Sequence, residues 1–222
     1  MKTKISVFVI AWLCICSVAN AQLGQVAQVI TNDRGGARNL SIGFIPYGFS
    51  HINISKDSEK YKYDYKSYFG FNIGYETQLF GASHITEVSY AKAKFDKYDL
   101  TGVSPWFNAD QTEDISSISL SLLMGKTLNK NKRLQFPLYA GPRFEYLSGG
   151  PIHNFAINLC GKVRVKFYIT DNIGIFAGST AYIGWGAKKA HDKSKQSDER
   201  YTLTPSAFYV DAGLVIGLNK NE

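Results

Sequence analysis

The chain has 222 residues with a formal net charge of +7, an excess too mild to point to nucleic acid as a partner. Tyr and Phe number 14 each and Gly 20, against only 6 Pro, a balance that favours β-structure. A mean hydropathy of −0.16 excludes a membrane helix beyond the N-terminal segment, although alternating strands escape that test because their two faces average out.

The N-terminus reads as an export signal. Lys2 and Lys4 precede the apolar run Ile5 to Cys16, and Ala19-Asn20-Ala21 offers small residues for cleavage before Gln22. The run is too short to span a bilayer as a helix. Residues 1–21 are therefore expected to be a signal peptide, and Cys14 and Cys16 leave with it. Only Cys160 remains, so no intramolecular disulfide can form. Residues 22–39, with the turn signal Asp33-Arg34-Gly35-Gly36, are read as a short periplasmic leader before a barrel at 40–222.

From residue 40 the hydrophobic period is two, not 3.6. In 40–49, Leu40, Ile42 and Phe44 oppose Ser41, Gly43 and Tyr47. In 67–80, Phe69, Phe71, Ile73 and Tyr75 oppose Asn72, Gly74 and Glu76. Segment 85–97 is the least regular, with Val88 and Tyr90 opposite Glu87 and Ser89. In 115–128, Ile118, Leu120, Leu122 and Met124 oppose Ser119, Ser121 and Thr127, and in 134–147, Leu138, Ala140 and Phe144 oppose Tyr139, Arg143 and Glu145. Segment 155–169 alternates without a break, and its polar face carries Lys162, Arg164 and Lys166 in succession. A helix would scatter those cations, whereas a strand sets them on one side. Segment 173–186 places Gly174, Gly178, Gly184 and Gly186 with Phe176 and Tyr182 on one face, and 208–218 opposes Leu214 and Ile216 to Tyr209 and Asp211.

Eight segments result. Residues 81–84, 129–133 and 170–172 read as short turns; 50–65, 98–113, 148–153 and 188–200 read as generally longer polar loops. The two kinds alternate, which puts all the loops on one rim and all the turns and both termini on the other. The fold class predicted is all-β: a transmembrane antiparallel up-and-down β-barrel of about eight strands. Alternation does not say which face is inside, so a soluble lipocalin-like barrel holding an apolar ligand is the rival.

The Ala-x-Ala site, the Gln start, the even strand count and the loop parity resemble the small eight-stranded outer-membrane proteins of the OmpA/OmpX type. The Ala21-Gln22 junction and the Tyr- and Lys-rich loops are similar to the outer-membrane β-barrel domain family common in Bacteroidetes. The resemblance covers about residues 40–218 and implies residence in the cell outer membrane, contact with its lipid and lipopolysaccharide, and delivery by the barrel-assembly machinery. The chain departs from the group in ending Leu218-Asn219-Lys220-Asn221-Glu222 rather than in an aromatic residue.

The faces define the candidate residues. Glu76, Glu87, Glu145 and Asp211 share the predicted lumen with Arg143, Lys162, Arg164 and Lys166. Four acids with four bases in a narrow interior read as a mutually paired lumen network, since unpaired buried charge is costly; a narrow polar pore is the functional alternative. In Lys60-Tyr61-Lys62-Tyr63-Asp64-Tyr65-Lys66 the tyrosines are in phase with Phe69 and Phe71. Tyr61, Tyr63 and Tyr65, with Trp106 and Phe107, are read as outward contact candidates for an interfacial girdle or an unknown extracellular partner. Residues 188–200 read as a solvated charged tip. His51, His84, His153 and His191 carry no motif that fixes a base and an acid beside a nucleophile, Cys160 reads as an inert filler, and no metal-ligand or nucleotide-binding spacing occurs. No catalytic residue and no cofactor is expected, and the function expected is a structural or surface-interaction role through the loops.

Overall fold

The structure is a computed structural model, and it describes residues 38–56, 59–79, 82–100, 114–130, 133–149, 152–192 and 197–218. The expected signal peptide, nearly all of the leader, and Trp106 and Phe107 lie outside the described residues. The strands are β1 (Arg38–Lys56), β2 (Glu59–Leu79), β3 (Ala82–Leu100), β4 (Ile115–Lys130), β5 (Leu134–Gly149), β6 (Ile152–Tyr168), β7 (Ile173–Asp192) and β8 (Ser197–Gly217). Each pairs antiparallel with its sequence neighbours, and β8 pairs with β1 to close the barrel. Both ends of the described chain, Arg38 and Leu218, lie on one rim, the terminal rim, where Leu218 N–H donates to the Arg38 carbonyl. The opposite rim is called here the far rim.

The period of two becomes an inside-out barrel. Ile42, Phe71, Ile73, Val88, Ile118, Leu159, Val163, Ile175 and Leu214 all stand on the outer surface, while Glu87, Arg143, Glu145, Lys162, Arg164, Lys166 and Asp211 are buried inside. A soluble barrel would reverse these faces. The glycines of 173–186 leave room for lumen side chains: a Cβ on Gly184 would sit 1.5 Å from Asn158 Oδ1, and one on Gly178 would sit 2.8 Å from Arg164 Cγ.

Two expectations are corrected. The strands run 16 to 21 residues, well beyond the 9–11 or so that cross a bilayer. Most of 50–65 and much of 188–200 are strand, and only residues 57 and 58 separate β1 from β2. The polar character read as loop belongs to a sheet that continues past the apolar belt, where outward residues face water and need no apolar side chain. The second correction is one of phase. β1 carries a register shift against β8 between Phe44 and Tyr47, at Pro46, which has no N–H to give the ladder. β2 shifts against β3 between Lys66 and Phe69. Both shifts lie at the same height, since Ile45 pairs with Gly70 and Phe49 with Lys66, so the β1–β2 register itself is unbroken. Each extra residue turns the rest of its strand over. Tyr47, expected inside, is 57% exposed, and Tyr63 and Tyr65, expected outside, are 2% and 4% exposed.

Toward the far rim the barrel therefore changes character. Its interior is apolar, packed from Ile45, Ile52, Ile54, Tyr63, Tyr65, Ala91, Ala93, Ile115, Leu147, Leu203 and Ala207. Its outer wall turns polar, with Asn53, Lys62, Lys66, Lys92, Lys94 and Asp96 exposed.

Candidate functional site in the barrel interior and on the projecting wall

All eight charges predicted for the lumen converge there, on β2, β3, β5, β6 and β8. Lys162 Nζ reaches Glu87 Oε1 at 2.6 Å and Asp211 Oδ2 at 3.1 Å. Arg164 Nη2 donates to Glu87 Oε2 at 2.6 Å and to Asp211 Oδ2 at 2.9 Å. Two bases and two acids thus share one cluster, to which Asn72 Nδ2 adds a bond to Asp211 Oδ2 at 3.0 Å. Lys166 pairs with Glu76. Lys162 and Arg164 share Glu87 on β3 and Asp211 on β8, whereas Lys166, nearer the terminal rim, meets Glu76 on β2, so each β6 cation reaches an acid across the lumen. The guanidinium of Arg164 also lies 4.2 Å from the centre of the Phe176 ring, and Phe176 packs with Tyr168 and Val215.

The second group is built around Arg143 and Glu145, two residues apart on β5. Arg143 Nη2 donates to Glu145 Oε1 at 3.1 Å and Nη1 to Tyr209 Oη at 2.9 Å. Tyr182 Oη donates to Glu145 Oε1 at 2.9 Å, and Asn158 Nδ2 to Oε2 at 2.9 Å. The guanidinium is held 4.5 Å from the Tyr182 ring and 5.6 Å from that of Tyr209. Tyr68 stacks on Tyr209 with centroids 5.7 Å apart and shares hydrogen bonds with Ser117 and Tyr182, 3.2 Å each. This tyrosine layer separates the charges from the apolar interior of the far rim. Sequence reasoning missed Tyr68, although it keeps the even phase of Asn72 and Glu76 on β2. Tyr182 and Tyr209 were on the right face but uncharged, and nothing in the alternation marks a tyrosine as a partner for a charge.

The described interior is filled by paired charges and tyrosines. Among the described residues no group of His, Cys, Asp and Glu could hold a metal ion. Cys160 is free and buried beside the network.

The outer wall above the belt carries its own polar set. His51 Nδ1 lies 2.6 Å from Asp64 Oδ1, and Lys62 Nζ lies 3.4 Å from the same oxygen. Burial alone would raise the Asp64 carboxyl; the hydrogen bond and charge of His51, with the Lys62 ammonium, hold it below its ordinary value. Lys66 Nζ meets Asp96 Oδ2 at 2.8 Å, and that hydrogen bond and charge raise its ammonium above the usual lysine value. Lys92 meets Asp114 at 3.2 Å. Of the predicted contact tyrosines, Tyr63 and Tyr65 face inward and Tyr65 packs edge-on against Phe95. Tyr61 lies on β2 opposite Ile54 and Leu100. His84 lies in β3 rather than in the turn expected for it, while His153 and His191 fall in β6 and β7.

The barrel matches the outer membrane protein OprG from Pseudomonas aeruginosa with a TM-score of 0.55 and 11% sequence identity, over 84% of this chain and 98% of that one. Lower scores relate it to the outer membrane protease OmpT from Escherichia coli, 0.48 at 8% identity over 82% and 97%, and to Ail, the attachment invasion locus protein of Yersinia pestis, 0.40 at 15% over 80% and 98%. No protein-family model matches the chain, and no curated protein matches it. At such identities the likeness is one of fold, and that fold is the outer-membrane β-barrel.

Proposed function

We propose that the protein resides in the cell outer membrane as a closed, non-enzymatic barrel of the small OmpA/OmpX type, akin to the Bacteroidetes outer-membrane domain, and acts through the part that rises above the bilayer. The filled interior carries this reading. A charged layer and a tyrosine layer, with an apolar core above them, leave solutes no path that does not first break buried pairs. What remains available is the surface: a rigid, double-paired wall projecting past the lipid and able to present its loop tips to an extracellular partner. The far rim is the extracellular one in this reading, because the termini and turns gather on the other.

The test is recovery and conductance. The protein should fractionate with the outer membrane, run as a heat-modifiable band, and give no steps in a planar bilayer. Steady ion-conducting steps at neutral pH would replace this reading with that of a narrow pore. Recovery as a soluble protein would end it.

A further inference from the structure

Where the outer face passes from apolar to polar, β2 and β3 set like charges against each other. Lys66 and Lys94 are direct cross-strand partners, and both are exposed on the outer face. Lys92 follows on the same face of β3, opposite Phe69. Like charges directly opposed in a sheet are destabilising. Asp96 answers Lys66 and Asp114 answers Lys92, whereas Lys94 has no carboxylate partner among the described residues. Immediately below lie exposed aromatics. Phe69 is 58% exposed and meets Phe44 edge-on at 5.0 Å, and Tyr47 is exposed beside them; Phe49, level with Lys66 as its partner on β1, is exposed too. The bulges make this arrangement, since without them Lys66 would point inward and Tyr47 would be lumenal.

We propose that Lys66, Lys94 and Lys92 bind the phosphate of an outer-leaflet lipid whose acyl chains lie along Phe69, Phe44 and Tyr47. Charge and depth together select the occupant. An anion relieves the lysine opposition, and at the boundary between apolar wall and polar wall the anion at hand is a lipid phosphate. A free phosphate would meet the lysines alone, whereas a lipid phosphate brings acyl chains that continue onto the exposed aromatics beneath them. The inference rests on the membrane reading above.

The protein would be refolded into phosphatidylcholine vesicles containing a minor share of phosphatidic acid, extracted gently, and its bound lipids counted by native mass spectrometry. Wild type should retain phosphatidic acid in preference to phosphatidylcholine. K66Q/K94Q should lose that preference by about tenfold, while K126Q, an exposed lysine near the terminal rim, should keep it. K94E should retain no phosphatidic acid yet resist urea at least as well as wild type, because it turns an opposition into a pair. Equal retention by wild type and K66Q/K94Q, or equal loss in K126Q, would overturn the site. Displacement of phosphatidic acid by excess inorganic phosphate would overturn the choice of a lipid. A heat-modifiable band in the same samples keeps the two questions apart: a folded, inserted protein without lipid preference fails only the site, and an uninserted wild type fails the membrane reading.

Discussion

The belt and the projecting wall of this barrel obey opposite rules with the same backbone. In the belt the outer residues are Ile42, Ile73, Leu159 and their neighbours, and the inner ones are salt-bridged. Some residues higher, Ile52, Ile54 and Leu203 are inside, and Asn53, Lys62 and Lys94 are outside. What changes is the solvent on the outer side. Against lipid, apolar side chains belong outside and the charges gather in the lumen where they can pair. Against water the hydrophobic effect drives apolar side chains inward, as in any soluble barrel. The two rival orientations of the sequence reading are thus both present, stacked in one molecule.

The comparison can be broken most severely at its charged centre. Glu87→Ala removes the acid shared by Lys162 and Arg164, and leaving buried charge uncompensated should cost about 3–5 kcal/mol, read by urea unfolding from vesicles. Replacing Glu87 and Lys162 together by leucine should cost less than the single change, because the pair leaves as a unit. An arginine scan of the outer surface comes next. Leu159→Arg, at the most exposed apolar position, should cost about 2–4 kcal/mol in the bilayer, whereas Asn53→Arg on the projecting wall should stay within about 0.5 kcal/mol. Equal costs would mean that the wall does not leave the lipid. Within the apolar interior, Leu203→Ala should cost roughly 2–4 kcal/mol with no gain in conductance, since the tyrosine layer beneath it still closes the lumen.

The smallest effect concerns pH. Asp64 has its carboxyl held below the ordinary 3.8, so its ionised form stabilises the folded wall above that value, and the contribution is lost as pH falls through the lower folded value. The tie is partly solvated and should amount to less than about 1 kcal/mol. Comparing the acid limb of stability in wild type and Asp64→Asn would detect it, and identical limbs would assign the acid response to other carboxylates.

The eight lumen charges were legible because each strand segment that carries them keeps one phase: Lys162, Arg164 and Lys166 share a face of β6 from end to end. Their partners were not, because which acid meets which base depends on the stagger across the barrel, a property of closure rather than of any strand. The height of the wall was hidden too. Outward Lys, Asp and Thr in a strand above the lipid have the composition of a loop, and only the hydrogen-bonding partner on the next strand tells them apart. Tyr63 and Tyr65 were placed on the wrong side because a bulge leaves almost no mark in the sequence beyond Pro46, and in β2 it leaves none.

Those two bulges also govern how this wall can be compared with others. A strand without them has a single frame from rim to rim, so laying it over β1 or β2 requires a one-residue gap in mid-strand, and in both strands at the same height. Placed instead in the loops, where gaps are usually tolerated, the alignment would match Ile52 to outward positions and His51 to inward ones. Relatives that share the bulges would be recognised by the coincidence of the two gaps long before any residue identity betrayed them.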